Sequence, residues 1–189
     1  MKILITGGSA SGKSYYAEEL AMRLAAGRKL IYLAAMKPYG EESLRRIRRH
    51  RELRRGKGFE TIEAYTCIDE NLRHNGYSDD TPEVTEKPTI LLECLPNLAA
   101  NELFSDDGNM RDPIMVYKKL INEIERTAEA AENIIIVTND IFSDGVMYPD
   151  WTAEYIKILS GLNAHLSNKA DNVTEVVYTV PVLIKGDIV

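Results

Sequence analysis

Near its start, the sequence has a glycine-rich stretch with the spacing of a phosphate-binding loop. The pattern G-x-x-x-x-G-K-S is matched without a mismatch by Gly7, Gly8, Ser9, Ala10, Ser11, Gly12, Lys13 and Ser14. Glycines let successive backbone N–H groups converge on phosphate oxygens, and the N-terminus of a following helix adds a favourable dipole. We predict that Lys13 reaches the β- and γ-phosphates of a purine nucleoside triphosphate, and that the Ser14 hydroxyl ligates Mg²⁺.

An acidic residue stands where a second magnesium ligand is expected. Glu93 lies at the end of an apolar stretch that begins at Thr89. At the carboxyl edge of a parallel sheet, such a carboxylate can hold Mg²⁺ through water or accept a hydrogen bond from a nucleotide hydroxyl. A capping or solvent-facing carboxylate is the alternative interpretation.

A histidine lies inside a dense cluster of arginines. Residues 45–55 read Arg-Arg-Ile-Arg-Arg-His-Arg-Glu-Leu-Arg-Arg. On a helix, Arg46, His50 and Arg54 share one face, while Ile47 and Leu53 anchor another. Cations beside an imidazole favour its neutral form and attract phosphate, so His50 has the surroundings that a phosphoramidate-forming nucleophile requires. Spacing alone leaves two alternatives open, a solvated basic face and an RNA-binding patch.

The elements that position these residues follow from the apolar pattern. Runs rich in Ile, Leu and Val, continuous rather than alternating, are typical of strands buried on both faces of a parallel sheet. They are Ile3 to Thr6, Leu30 to Ala34, Thr89 to Cys94 and Ile134 to Thr138. Helical periodicity is found at Lys13 to Ala26, Pro113 to Ala131 and Trp151 to Ala170. The alternation predicts one α/β domain over residues 1–189, with a P-loop NTPase-like, doubly wound, mostly parallel sheet and helices on both faces.

Two further segments have distinct signatures. Glu175 to Thr179 and then Pro181 to Lys185 indicate a C-terminal hairpin or edge strand, since Pro181 cannot donate within a central ladder. The polar stretch from His74 to Lys87 is predicted to be a flexible surface loop.

Composition restricts the class of protein. The 189 residues are 44% hydrophobic and carry a formal charge of −6, which suits an acidic domain with a sizeable core and argues against a general nucleic-acid-binding role. Cys67 and Cys94 are far apart and not in metal-ligand spacing, so neither a zinc site nor a disulfide framework is predicted. No stretch reaches the roughly 18 apolar residues of a membrane span, and the apolar run at the N-terminus is too short for a signal peptide, so we expect a cytoplasmic protein.

These motifs together resemble one family, the bifunctional adenosylcobinamide kinase / adenosylcobinamide-phosphate guanylyltransferases of cobalamin biosynthesis. The resemblance is carried by the opening strand and loop, by Ile31 to Ala35, and by Arg46 to Arg54, which matches R-I-x-x-H-x-x-x-R. It continues in Thr61 to Glu63 (T-x-E), Leu91 to Cys94, Asn101 to Phe104 (N-x-L-F) and Val137 to Asn139 (V-T-N). The histidine signature separates this family from other P-loop kinases.

The resemblance implies two reactions and a set of binding residues. ATP or GTP, with Mg²⁺, phosphorylates the corrinoid substrate adenosylcobinamide, and His50 then carries a covalent guanylate from GTP to the cobinamide phosphate. The residues implied to help hold the guanine nucleotide are Ala34, Ala35, Met36, Arg51, Glu52, Leu53, Arg54, Glu63 and Glu93. A homotrimer is also implied, with neither nucleic acid nor a membrane span.

The sequence departs from the family pattern in its C-terminal part. The arginine common before Ser-Gly-Lys is Ala10, and Ile141 to Pro149 replaces the usual G-x-G-I-V-P loop. In the following helix only Tyr155 and Asn163 are kept from R-x-F-R-D-x-x-G-x-x-N-Q. Two other hypotheses therefore stay open: a different small-molecule P-loop kinase, in which His50 is dispensable, and a degenerate GTP- or ATP-binding sensor.

Overall fold

A computed structural model describes residues 1–77, 86–140 and 148–187 of the chain. Most of the predicted surface loop (78–85) and of the divergent loop (141–147) lies outside these described residues. The strands are β1 (Lys2–Thr6), β2 (Leu30–Ala34), β3 (Phe59–Glu63), β4 (Thr89–Glu93), β5 (Asn133–Val137), β6 (Asn172–Val177) and β7 (Val180–Lys185). The helices are α1 (Lys13–Ala25), α2 (Gly40–Arg54), α3 (Ile68–His74), α4 (Leu95–Leu103), α5 (Pro113–Glu129) and α6 (Asp150–Lys169).

The seven strands form one sheet in the order β3-β2-β4-β5-β1-β6-β7. All neighbouring pairs are parallel except β6 and β7, which form an antiparallel hairpin at one edge. β1 lies between β5 and β6, with Ile5 beside Val137 and Thr174. This arrangement confirms the predicted mostly parallel sheet with a C-terminal hairpin.

Side chains that alternate along the strands supply two separate hydrophobic cores. Ile3, Ile5 and Tyr32 face α1 on one side of the sheet. Leu4 and Leu33 lie on the other side, in the core shared with helices α3 to α6. Burying one such side chain contributes about 1.5–3 kcal/mol. Both faces are therefore covered by helices, as the continuous apolar runs predict.

Two strand segments that the apolar pattern did not reveal, β3 and the start of β6, have few buried residues or buried polar ones. In the edge strand β3 only Ile62 is buried, so this strand has no apolar run. β6 begins at Asn172, three residues before its predicted start at Glu175, because its first half contains buried polar residues. Thr174 Oγ1 donates to Asn172 Oδ1 at 3.0 Å there. Among the described residues, no helix has the length and apolar content needed to cross a membrane.

Candidate active site

The phosphate-binding loop joins β1 to α1 at the carboxyl edge of the sheet, and two of its glycines are required by close packing. Gly7 has φ +146°, and a Cβ there would lie 2.5 Å from the carbonyl oxygen of Val176. Gly12 has φ +91°, and a Cβ there would lie 3.0 Å from Thr179 Cγ2. The backbone N–H of Thr179 donates to the Ser11 carbonyl at 2.8 Å. The end of β6 and the turn between β6 and β7 therefore pack directly against the phosphate-binding loop.

The lysine and the serine of the loop lie at its helical end, beside the β4 carboxylate. Lys13 Nζ donates to the Gly8 carbonyl at 2.9 Å, and burial lowers the pKa of Lys13 although Glu93 opposes the shift. Ser14 Oγ donates to Glu93 Oε1 at 2.7 Å. The two residues predicted from separate motifs to act on one metal ion are thus hydrogen-bonded to each other.

The carboxylate of Glu93 has surroundings that suit it to binding a cation. Burial raises its pKa to about 7, even though the hydrogen bond from Ser14 and the charge of Lys13 lower it. Its second oxygen, Oε2, is buried and has no hydrogen-bond partner among the described residues. A hydroxyl and a carboxylate are oxygen donors of the kind that Mg²⁺ prefers, usually with several waters completing its octahedron. Ser14 and Glu93 therefore fit the predicted role of magnesium ligands.

Helix α2 carries His50, which lines the same cavity as the phosphate-binding loop. His50 is half-buried, and burial lowers the pKa of its imidazole, with smaller contributions from Arg54, Arg46 and Arg49. The arginine cluster acts in the predicted direction, but desolvation is the larger cause. Near neutral pH the imidazole is therefore the free base, with a nitrogen lone pair available for attack.

The arginines around His50 have different environments. Arg46 and Arg49 are exposed, whereas Arg54 is only 7% exposed and its guanidinium carbon lies 3.4 Å from the centroid of the Tyr32 ring. Nε and Nη1 of Arg54 are buried and have no hydrogen-bond partner among the described residues. The prediction that Leu53 anchors the helix is wrong, because its side chain is 55% exposed. The next residue of α2, Arg54, packs against the sheet instead.

A cavity of about 510 Å³ connects the loop and the histidine. Its walls include residues 9–14 of the loop on one side and, from α2, Arg46, Arg49, His50 and Leu53 on the other. We call it the phosphate cavity. Cys94 also lines it, but burial raises the pKa of this thiol to about 12. His50 is therefore better suited than Cys94 to attack a phosphorus atom here.

A smaller and more apolar cavity of about 110 Å³ adjoins the phosphate cavity, and the two share Met36, His50 and Glu93 as lining residues. We call it the base cavity. Ala34, Arg51, Arg54 and Glu63 also line it, with Tyr32, Pro38, Leu44, Ile47, Thr61 and Tyr65. Glu63 pairs with Arg51 and accepts a hydrogen bond from the Tyr65 hydroxyl at 2.7 Å. A flat, partly polar ring fits between such apolar walls and a carboxylate.

Sequence reasoning did not single out Tyr32 and Tyr65. Tyr32 is concealed inside the apolar run of β2, where an aromatic residue is indistinguishable from ordinary core. Tyr65 lies two residues after Glu63, and this proximity to a predicted binding carboxylate is the signal that could have identified it.

Four of the predicted nucleotide-binding residues line neither cavity. Ala35 is fully buried, and its backbone N–H donates to the Glu93 carbonyl at 3.0 Å. Glu52 is exposed on α2 and lies 3.6 Å from Arg55. Gly7 and Gly8 also lie outside the lining of the two cavities and contribute through the backbone shape of the loop. The other predicted residues are brought together around the two cavities.

The two α6 residues kept from the family pattern hold structure around the site. Asn163 Oδ1 accepts from Thr138 Oγ1 at 2.7 Å, and its Nδ2 donates to the Asn139 carbonyl at 3.2 Å. The Tyr155 hydroxyl donates to the Pro96 carbonyl at 3.2 Å, in the first turn of α4. Both contacts fix the positions of segments that follow β5 and β4 at the carboxyl edge of the sheet.

Comparison with known proteins identifies similar sequences over nearly the whole chain. Residues 3–184 match the family described as cobinamide kinase / cobinamide phosphate guanyltransferase. The bifunctional adenosylcobalamin biosynthesis protein CobU of Escherichia coli (strain K12) is 29% identical over 98% of this chain and 100% of its own length. The bifunctional adenosylcobalamin biosynthesis protein CobP of Pseudomonas aeruginosa is 28% identical over 99% of each chain.

Solved structures support the fold. The KaiC-like protein PH0186 from Pyrococcus horikoshii OT3 superposes with a TM-score of 0.50, 13% sequence identity and coverage of 92% of this chain and 71% of the other. At this identity the similarity concerns the fold alone.

Proposed function

This chain belongs to the cobinamide kinase / cobinamide phosphate guanyltransferase family, and we propose that it phosphorylates cobinamide and then guanylylates the product through His50. The observation that carries this proposal is the shared phosphate cavity, in which His50 and the phosphate-binding loop face the same space. A plain kinase has no need of an uncharged imidazole at that place.

The guanylyl transfer follows from the protonation state and surroundings of His50. A ring nitrogen attacks the α-phosphorus of GTP, a P–N bond forms, and the P–O bond to the β-phosphate breaks, so pyrophosphate leaves with the electron pair. Lys13, Arg46 and Arg49 line the cavity and stabilise the charge that develops on the departing phosphates. A phosphate oxygen of the acceptor then attacks the same phosphorus and forms a new P–O bond. The P–N bond breaks, and its electron pair stays on the imidazole nitrogen.

The kinase step depends on positioning and charge. The loop backbone and Lys13 hold the β- and γ-phosphates of ATP or GTP while the acceptor hydroxyl attacks the γ-phosphorus. Ser14 and Glu93 would hold Mg²⁺, which neutralises phosphate charge when it is bound. The hydroxyl loses its proton as the new P–O bond forms, and the nucleoside diphosphate leaves.

Guanine recognition is proposed for the base cavity. The Glu63 carboxylate can accept hydrogen bonds from the N1–H and N2–H₂ donors of guanine, an edge that adenine does not have. The pairing of Glu63 with Arg51 and Tyr65 supports this role because it holds the carboxylate in one orientation. Arg54 is buried beside Tyr32, and two of its nitrogens have no partner in the part of the chain that the structure describes. Its guanidinium can therefore meet an anionic or carbonyl oxygen of the same nucleotide.

We also propose that the enzyme acts as a homotrimer in the cytoplasm. The family resemblance is the basis for both statements. The exposed apolar side chains of β7, among them Val180 (59% exposed) and Ile184 (60%), support an interface between copies. Sedimentation of the purified protein tests the trimer.

The test of the covalent mechanism uses GTP labelled on the α-phosphate. Wild-type protein with Mg²⁺ should gain an acid-labile, alkali-stable label of the mass of one guanylate, and His50→Ala should gain none. His74→Ala, which removes an exposed histidine at the end of α3, is the matched control and should be labelled like wild type. If turnover survives in His50→Ala, the protein is a plain kinase. If nucleotide binds but neither label nor turnover occurs, it is a nucleotide-binding sensor.

A further inference from the structure

An open cleft next to the phosphate cavity is not used by the nucleotide chemistry described above. It has a volume of about 580 Å³ and is lined by residues that include Tyr39, Ser43, Asn97, Asn101 and Ser105. These come from the start of α2, from α4 and from the segment after α4. We call it the amide cleft.

The amide cleft and the phosphate cavity meet at three residues. Met36, Glu42 and Arg46 line both spaces. An acceptor that is first phosphorylated at the loop and then guanylylated at His50 must reach both reacting phosphorus atoms from one side. A ligand seated in the amide cleft has this access through the shared boundary.

The charge of the amide cleft differs from that of a nucleotide site. Its charged lining residues are Lys37, Arg46, Glu42 and Asp106, two cations and two anions, and Lys37 is paired with Asp106. Such a balanced lining does not select a polyphosphate. The neutral residues offer amide and hydroxyl groups, which suit a ligand with many uncharged polar groups.

Two asparagines give the amide cleft its binding groups. Asn101 is held rigidly because its Nδ2 donates to the carbonyls of Ala35 at 2.8 Å and Tyr65 at 2.9 Å, so Oδ1 is left as an acceptor. Asn97 is partly buried, and its side-chain amide has no hydrogen-bond partner within the described part of the chain. A partly buried amide without a partner favours a ligand that supplies both a donor and an acceptor.

An aromatic side chain completes the lining. Tyr39 precedes α2 and is 86% exposed, which leaves its ring available to an apolar molecular surface. We propose that the amide cleft binds the corrinoid acceptor, a macrocycle with a rim of uncharged carboxamide side chains. Asn97 and Asn101 bond to the rim, Tyr39 packs on the ring, and the aminopropanol tail enters the phosphate cavity past Arg46. This assignment rests on the proposed function.

The experiment measures acceptor binding separately from chemistry. Equilibrium dialysis with cobinamide, followed by corrin absorption, gives Kd for wild type, Asn97→Leu and Tyr39→Ala. We expect Kd to rise at least tenfold in Asn97→Leu and severalfold in Tyr39→Ala. Asn168→Leu changes an exposed asparagine on α6 and should bind like wild type. Labelling by GTP needs no acceptor and reports whether each variant is folded and binds nucleotide.

The outcomes separate the two proposals. If labelled wild type binds cobinamide, and both variants bind it with an unchanged Kd, the cleft assignment is wrong and the guanylyl transfer stands. If wild type is not labelled but binds cobinamide in a manner that depends on Asn97, the assignment stands and the covalent mechanism fails. If wild type shows neither labelling nor binding, both are overturned.

Discussion

Arg54 carries a prediction in which stability and function move in opposite directions. Its guanidinium is buried against Tyr32, and two of its nitrogens have no partner among the described residues. Two desolvated donor nitrogens cost about 1–3 kcal/mol each, whereas the contact with the Tyr32 ring contributes about 0.5–2 kcal/mol of stabilisation. Attraction between Arg54 and Glu93, seen in the lowering of the Glu93 pKa by Arg54, offsets a further part of the desolvation cost.

The substitution Arg54→Met keeps the length and apolar stem of the side chain and removes the charge. Without nucleotide, the variant should be more stable than wild type by about 1–2 kcal/mol, because the cost of the unpartnered nitrogens exceeds what Tyr32 and Glu93 contribute. In a chain of this size that corresponds to a rise in Tm of about 2–8 °C. With GTP at a hundred times its Kd, wild type should gain about 2.7 kcal/mol, and the variant should gain less than half of that.

The assay is thermal unfolding of both proteins with and without GTP and Mg²⁺, supported by urea denaturation. Arg48→Met is the matched control, because Arg48 is exposed on the same helix and its loss should change stability by no more than about 0.5 kcal/mol. A variant that is less stable than wild type without nucleotide would show that the guanidinium is satisfied in the free protein. An unchanged response to GTP would show that Arg54 does not touch the nucleotide.

Three further predictions concern the candidate site. Labelling of His50 by GTP should persist below pH 6.5, since burial and the arginines lower the pKa of the imidazole. The substitution Arg49→Gln should raise that pKa and move the acid side of the pH–rate profile of labelling to higher pH. An unchanged profile would refute the electrostatic argument. Glu63→Gln should reduce the preference for GTP over ATP in labelling by about tenfold, equivalent to one charge-assisted hydrogen bond, and equal selectivity would remove Glu63 from the base site. Gly12→Ala should lower the free energy of unfolding, measured by urea denaturation, by about 1–3 kcal/mol. The reasons are the positive φ of Gly12 and the close approach of Thr179. An unchanged free energy of unfolding would contradict this close packing.

The predictable part of the molecule is the part encoded by local pattern. The phosphate-binding loop, the four apolar strands and the C-terminal hairpin are confirmed. Each could be predicted because strand burial and turn formation require particular residue types within a few positions of the sequence. Family membership, inferred from the spacing of the histidine signature, is also confirmed. The roles of Lys13, His50 and Glu93 remain predictions, although their side chains lie around one cavity.

The unpredicted part depends on contacts between distant segments. The β3 strand has one buried residue and is held in the sheet by its backbone pairing with β2. It contains no apolar run from which it could have been predicted. The stacking of Arg54 on Tyr32 joins α2 to β2, whereas helical spacing alone favoured Ile47 and Leu53 as the residues that anchor the helix. Glu52 and Ala35 were assigned through the family resemblance, and their neighbours Arg51 and Met36 line the base cavity in their place.

The support given to the phosphate-binding loop by the β6–β7 turn has a consequence for biosynthesis of the chain. The loop is translated well before β5 and β6, the two strands beside β1, and before its contact at Thr179. A nascent chain ending before Asn172 lacks both β6 and the Val176 carbonyl packed over Gly7. Contacts of such long sequence separation form late and slowly. Nucleotide binding should therefore begin only after Thr179 has been synthesised, and shorter nascent chains would not compete for GTP.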